Sequence, residues 1–189
     1  TREFYGTIEF FPEEGKYHWD GHRACKMPMK PADTNAVSGI CPVCGRRLTV
    51  GVLHRVEDLA DRDEGFVLPG ARHFERLVPL REVIASSLGL TPASVKAGRK
   101  YDGLLRDLGP ELFILREAPL EDIECKAGAL IAEGIRRLRR GQVEVQPGYD
   151  GEYGKIKVMD KRDIDLISGQ LSFFTGKEEN DPERKDEQA

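Results

Sequence analysis

Apolar positions along the chain change their period twice. Thr7–Phe11 and Lys16–Asp20 are apolar, aromatic-rich runs separated by Pro12-Glu13-Glu14-Gly15, and they predict a β-hairpin. Leu48–Val56 predicts a third strand. Residues 57–78 mix charge with Gly65, Pro69 and Gly70 and read as a connection between modules. From Pro79 the period becomes helical. Leu80, Val83, Ile84 and Leu88 share one face, which Gly89 ends. Thr91-Pro92 predicts the start of a helix running through Val95, Tyr101, Leu104 and Leu105 to Gly109. Pro110 opens a short helix over Glu111–Glu117, and Pro119 opens another that buries Leu120 and Ile123. After Gly128 the spacing of Ile131, Ile135 and Leu138 carries a last helix to Gly141. Val143–Val145 and Lys155–Val158 then alternate as a C-terminal hairpin around Pro147-Gly148-Tyr149-Asp150-Gly151. Past Met159 the core signal fades, and residues 159–189 read as a flexible tail.

The chain has 189 residues, room for one ordinary domain or two small ones. Lys plus Arg (29) against Asp plus Glu (33) leaves −4, so no global basic field exists and any polyanion contact must be local. No apolar run approaches the roughly 20 residues that span a bilayer, and no secretory leader opens the chain. A cytoplasmic location without membrane contact is therefore expected. Thr1–Phe11 reads as mid-strand, so the chain is expected to be a piece of a longer protein.

The four cysteines are Cys25, Cys41, Cys44 and Cys125. Three of them fall within twenty residues, a poor pattern for a disulfide framework. Cys41-Pro42-Val43-Cys44-Gly45 is a metal knuckle, with two thiolates on a tight turn and a glycine after the second. Upstream, His22 and Cys25 also have two residues between them. The full spacing matches structural Cys3His zinc ribbons, so His22, Cys25, Cys41 and Cys44 are the candidate ligands of a structural Zn2+. Four protein ligands leave no open position for water. His18 is an alternative to His22, although its distance from Cys25 makes no knuckle. Redox chemistry at Cys41 and Cys44 would need a following helix, whereas Arg46, Arg47 and an apolar run follow. Cys125, inside a helical pattern, reads as a small buried hydrophobe.

Residues 119–140 look like a helix-hairpin-helix, in which a Gly-containing turn offers backbone N–H groups to a phosphate at a helix N-terminus. Lys126 and Gly128 would form that turn, although strong phosphate binders have two glycines there. Arg136, Arg137, Arg139 and Arg140 crowd the end of the last helix, more arginine than a C-terminal cap requires. With Arg46 and Arg47 beside the knuckle they are candidate DNA contacts. Near the end, Gln170, Leu171, Ser172, Phe173 and Phe174 resemble the bacterial sliding-clamp pentapeptide, with Phe173 in place of the usual Leu. Packing of the two phenylalanines onto this chain as a last short strand is the alternative.

No Gly-x4-Gly-Lys-Ser/Thr occurs, so this segment carries no ATPase motor of that type. Asp61, Asp63 and Glu64 read as a solvated loop. No residue is assigned to catalysis. Lys16-Tyr17-His18, the two knuckles, Gly51–Arg62 and Pro147–Lys157 together resemble the C-terminal half of PHP-family phosphoesterases carrying a zinc ribbon, the endonuclease Q-like group. The resemblance covers nearly all of residues 1–175. It implies a catalytic PHP domain upstream that holds the reactive metals and nicks DNA on the 5′ side of deaminated or abasic nucleotides. It also implies relatives associated with UvrD-like DNA helicases. It assigns His22, Cys25, Cys41 and Cys44 to zinc, with His22 departing from the Cys expected in many relatives.

The expected fold is therefore α+β. A small zinc-ribbon β domain (1–57) and a linker (58–78) precede a helix-hairpin-helix-like domain (79–141), a β-hairpin (142–158) and the tail. The expected function is the non-catalytic, DNA-binding and lesion-presenting part of a metal-dependent PHP-family endonuclease in repair. Two alternatives remain: an accessory region of a UvrD-like helicase, and an interaction module recruited by a sliding clamp. The expected partners are DNA, a sliding clamp and the upstream catalytic domain.

Overall fold

Five helices grow from the stretch of helical period and supply the main core. The computed structural model describes residues 4–174; residues 1–3 and 175–189, and the side chains of residues 170–174, lie outside the described set. The five are α3 (Leu80–Ser87), α4 (Val95–Leu108), α5 (Glu111–Arg116), α6 (Leu120–Ala127) and α7 (Ala129–Arg139). Leu80, Val83, Ile84, Leu104, Ile114, Ile123, Ile131 and Ile135 are fully buried between them. These are the positions where i, i+3, i+4 spacing puts apolar side chains on one face. Ser94, not Thr91, caps α4: its hydroxyl accepts from the Ala97 N–H at 3.2 Å, while Thr91-Pro92 forms the preceding turn. A single residue, Gly128 at φ 101°, joins α6 to α7.

The N-terminal part is built differently. Strand β1 (Gly6–Glu9) pairs in parallel with β4 (His73–Arg76), and β2 (Asp20–His22) pairs antiparallel with β3 (Met27–Met29). A short helix α1 (Pro31–Ala36) follows β3, and α2 (Val52–Leu59) lies between the second knuckle and β4. Among the described residues, Met29, Cys41 and Leu48 form the buried cluster of this part. So small a core needs another cohesive element. The C-terminal strands β5 (Glu144–Gln146) and β6 (Lys155–Lys157) pair antiparallel as expected.

Three expectations are corrected. The 7–11/16–20 hairpin does not form, because a distant loop takes the backbone groups that it needs. Gly148 N–H donates to the Glu13 carbonyl (2.8 Å), Gly154 N–H to Glu14 (3.0 Å) and Gly151 N–H to Lys16 (2.9 Å). The strand expected over 48–56 stops at Thr49, which bridges Gly21; α2 then begins because the Val52 and Leu53 N–H groups find the carbonyls of Tyr17 and His18. Residues after Met159 open helix α8 (Lys161–Phe174), with Asp160 accepting from the Asp163 N–H at 2.8 Å. Ile164 and Ile167 pack on the main core. The mixture of helices and paired strands is α+β. Among the described residues no helix is long and apolar enough to cross a membrane.

Candidate functional site

Two tight turns bring four ligand atoms together. In the first, His22 ends β2 and Cys25 closes a one-turn 3-10 helix, with Lys26 in the left-handed region at φ 50°. In the second, Cys41 N–H bonds the Arg46 carbonyl at 2.7 Å and Gly45 N–H returns to Cys41 at 2.9 Å. The ring nitrogen of His22 and the sulfurs of Cys25, Cys41 and Cys44 all lie within 4.8 Å of one another. His22 Nδ1 is 3.3 Å from Cys44 Sγ. Bonds of about 2.3 Å to sulfur and about 2.0 Å to nitrogen place tetrahedral neighbours about 3.5–3.8 Å apart, so a small adjustment closes this set on one ion. The histidine of the cluster is His22, not His18. No helix starts at Cys44; Arg47 instead bridges Ile40, and α2 begins only at Val52.

The sulfurs compete for charge. Cys25, hydrogen-bonded to the Cys44 and Cys41 sulfurs, is pushed up to about 11. Burial opposes ionisation of Cys41, but N–H groups of Val43 and Cys44 and the His22 ring bring it down to about 6.

Two carboxylates, one buried and one half-buried, brace the turns. Asp20 is fully buried and accepts from the Gly51 N–H and a ring nitrogen of His54, each at 2.6 Å, fixing β2 to the start of α2. Asp150, in the loop before β6, accepts from the Arg23 N–H (2.7 Å) and the Thr49 hydroxyl (2.6 Å). Burial opposes its charge, yet these donors and the nearby His22 and Arg23 hold its carboxyl below the usual range. Neither carboxylate stands out in the sequence, where an Asp two residues before a ligand carries no pattern of its own.

The candidate DNA contacts divide by environment. Arg46 and Arg47 are exposed beside the cluster, and Lys126 and Gly128 are exposed at the α6–α7 turn. Arg136, Arg137, Arg139 and Arg140, at the end of α7, do not form one patch. Both Nε and Nη2 of Arg136 donate to Glu133, at 2.7 and 2.6 Å. Arg137 donates to Glu133 and, through both terminal nitrogens, to Asp163 of α8. Arg139 reaches the carbonyls of Ile114, Leu115 and Ala118 at 2.6–3.0 Å. Arg140 alone of the four is exposed without an ion pair among the described residues. Cys125 is exposed rather than buried, because its position on α6 faces away from Ile123. The backbone of Gln170–Phe174 continues α8, while the side chains of Gln170, Leu171, Ser172, Phe173 and Phe174 lie outside the described set. A groove of about 640 Å3 beside α4 escapes the sequence reading. It is lined by Lys96, Arg99, Lys100, Arg106 and Lys126, and helical spacing of the first four is its signal in the sequence.

Residues 79–142 match the family described as the MJ0043 C-terminal domain. The chain is 31% identical over 148 residues to protein MJ0043 of Methanocaldococcus jannaschii, covering 77% of this chain and 18% of that protein. It is 33% identical over 147 residues to YqxK of Bacillus subtilis, covering 77% of this chain and 34% of that protein. Among solved structures it resembles the lesion-specific endonuclease Q of Pyrococcus furiosus, with a TM-score of 0.69 and 30% identity over 85% of this chain and 40% of that one. It also resembles endonuclease Q in complex with a 27-mer duplex bearing an abasic lesion at the active site, with a TM-score of 0.68 and 29% identity over 83% of this chain and 39% of that one. The chain thus spans less than half the length of each of these proteins.

Proposed function

We propose that this chain is the DNA-gripping, lesion-presenting part of a metal-dependent repair endonuclease of the PHP type. Its catalytic domain lies elsewhere in the full-length protein. The observation that carries the reading is the likeness to endonuclease Q, at 30% identity over most of this chain, together with a relative held on an abasic duplex. The His22, Cys25, Cys41 and Cys44 cluster supports a structural Zn2+: the donor set is sulfur-rich, four protein ligands fill a tetrahedron, and the surrounding core is otherwise too small to hold its turns. The α6–Gly128–α7 hairpin supports the helix-hairpin-helix reading, with N–H groups at the start of α7 available to a phosphate oxygen. Arg46, Arg47, Lys126 and Arg140 are the candidates among the expected contacts whose charge is not neutralised by the described residues.

Two exposed apolar faces suit a further domain. One is Val52, Val56 and Leu59 on α2, and the other is the β1–β4 pair, exposed on both its sides, with Tyr5 and Phe74 toward one and Ile8 and Phe10 toward the other. A two-stranded parallel sheet is rarely left uncovered, which favours the catalytic domain as the occupant of the second face. Gln170–Phe174 at the end of α8 remains a proposed sliding-clamp contact.

Gel-shift and nicking assays on abasic, uracil-containing, hypoxanthine-containing and undamaged duplexes test the reading. The zinc-loaded chain is expected to shift duplex DNA and to cut none of the substrates, even with added divalent metal. Absence of any shift, or cleavage by this chain alone, overturns it.

A further inference from the structure

We propose that the exposed face of α4, continued by Lys126 at the end of α6, is a strip that grips the phosphodiester backbone of duplex DNA. The proposal rests on the DNA-binding reading above and names a contact surface beyond the contacts expected from the sequence. Lys96, Arg99, Lys100 and Arg106 recur at helical spacing along α4 and share one face. With Lys126 they line a groove of about 640 Å3 whose one acidic lining residue is Asp107, and Asp107 already accepts from Arg106 Nε at 3.0 Å.

Lys96, Arg99 and Lys126 are exposed and have neither an ion pair nor a side-chain hydrogen bond among the described residues. Lys100 donates to the Ala127 carbonyl at 3.1 Å and so ties the strip to the α6–α7 turn. A solvated helix face usually alternates its charges at i, i+3 and i+4. Here the residues three and four positions after Lys96 are Arg99 and Lys100, an arrangement that an isolated helix gains nothing from.

Gly103 lies in the same groove, in the middle of a fourteen-residue helix. Glycine is the poorest helix former after proline, and packing does not require it here. A Cβ at this position would meet only the far end of Arg106, at 3.8 Å. Leaving the position bare keeps the floor of the groove open to a bulky ligand. The ten residue steps from Lys96 to Arg106 rise about 15 Å, which is the axial rise of about four phosphates of one strand. An acidic peptide would also find cations here. The unpaired charges of Lys96, Arg99 and Lys126 and the duplex bound by a 29%-identical structure favour DNA.

Fluorescence anisotropy with a labelled duplex, titrated across salt concentrations, tests the strip in the full chain. Lys96→Gln combined with Arg99→Gln is expected to weaken binding at least about 10-fold near physiological salt and to lower the salt slope by roughly 2, one unit for each phosphate no longer neutralised. Gly103→Glu, which improves helix propensity and so preserves the fold, is expected to weaken binding by a similar factor. Circular dichroism and melting temperature should stay at wild-type values in the double variant. If the wild-type chain binds duplex and both variants match it in affinity and slope, the strip is overturned while the DNA-binding reading stands. If the variants lose affinity for poly-glutamate but keep it for duplex, the strip serves an acidic protein and the proposal falls. If the wild-type chain binds no duplex, both fall together.

Discussion

Arg139 crosses from α7 to α5 and gives its guanidinium to three carbonyl oxygens, whereas Lys96 on α4 faces solvent without a partner among the described residues. A sequence counts the two as equal charges; only the fold separates a structural cation from an available one. Burial lowers the Arg139 pKa, in keeping with a group that serves the interior. Arg139→Ala leaves the carbonyls of Ile114, Leu115 and Ala118 without this donor and should cost about 2 kcal/mol in urea unfolding. The salt slope of DNA binding should stay unchanged, and a reduced slope would return Arg139 to the DNA surface. Asp163 gives a pH test. The Arg137 guanidinium holds its carboxyl below the ordinary 3.8, so its contribution is fully present above that pH and disappears as pH falls through the lowered value. Asp163→Asn should cost roughly 1 kcal/mol at neutral pH and make the acid limb of the stability profile shallower. A stability profile identical to wild type from pH 2 to 5 would contradict this. The cluster of His22, Cys25, Cys41 and Cys44 was legible at this scale because knuckle spacing is itself the geometry. Asp20 and Asp150 were not, because each acts on residues far along the chain.

Helices α3 and α7 approach most closely at Gly134, where a Cβ would lie 2.0 Å from Ser87 Oγ and 3.3 Å from Val158 Cγ2. Gly134→Ala should therefore destabilise the protein by about 1–3 kcal/mol, as overpacked cores do. Ser87→Ala in the same chain should recover most of that loss, and a double-mutant cycle on unfolding free energies reads the coupling. Additive costs would mean that the helices separate instead of clashing. Helix positions from α3 to α7 were legible from their apolar period and from Gly and Pro at their ends. Helix α8 was legible in part: Asp160 with Asp163 is a cap, and Ile164 with Ile167 is a helical spacing, but strong charge around them masked both. The expected N-terminal hairpin failed for a different reason. Its strands satisfy their hydrogen bonds with residues 148–154, more than a hundred positions away, and with β4. Local pattern cannot announce a partner that far along the chain.

Across the whole molecule, the loop over 148–154 locks the part that holds the His22, Cys25, Cys41 and Cys44 cluster to the helical part. Trp19 N–H bonds Gly148, and Asp150 holds the Arg23 N–H inside the first knuckle. A Cβ at Gly154 would stand 2.1 Å from the Glu13 carbonyl, so the two segments touch backbone to backbone. Chelation of the metal should then loosen more than the four ligands. Hydrogen exchange is expected to accelerate at Lys26, Cys41 and Gly45 and at the loop amides of Gly148 and Gly151, while α3 and α7 keep their protection. Unchanged exchange at the loop would show that the two parts are independent. In the reading proposed above, Arg46, Arg47 and the strip on α4 grip one duplex. The most direct test of that picture is a hydroxyl-radical footprint of the zinc-loaded chain on an abasic duplex. The expected result is backbone protection flanking the lesion with no new strand break. Uniform radical cleavage along both strands, or a nick made by this chain alone, would contradict it.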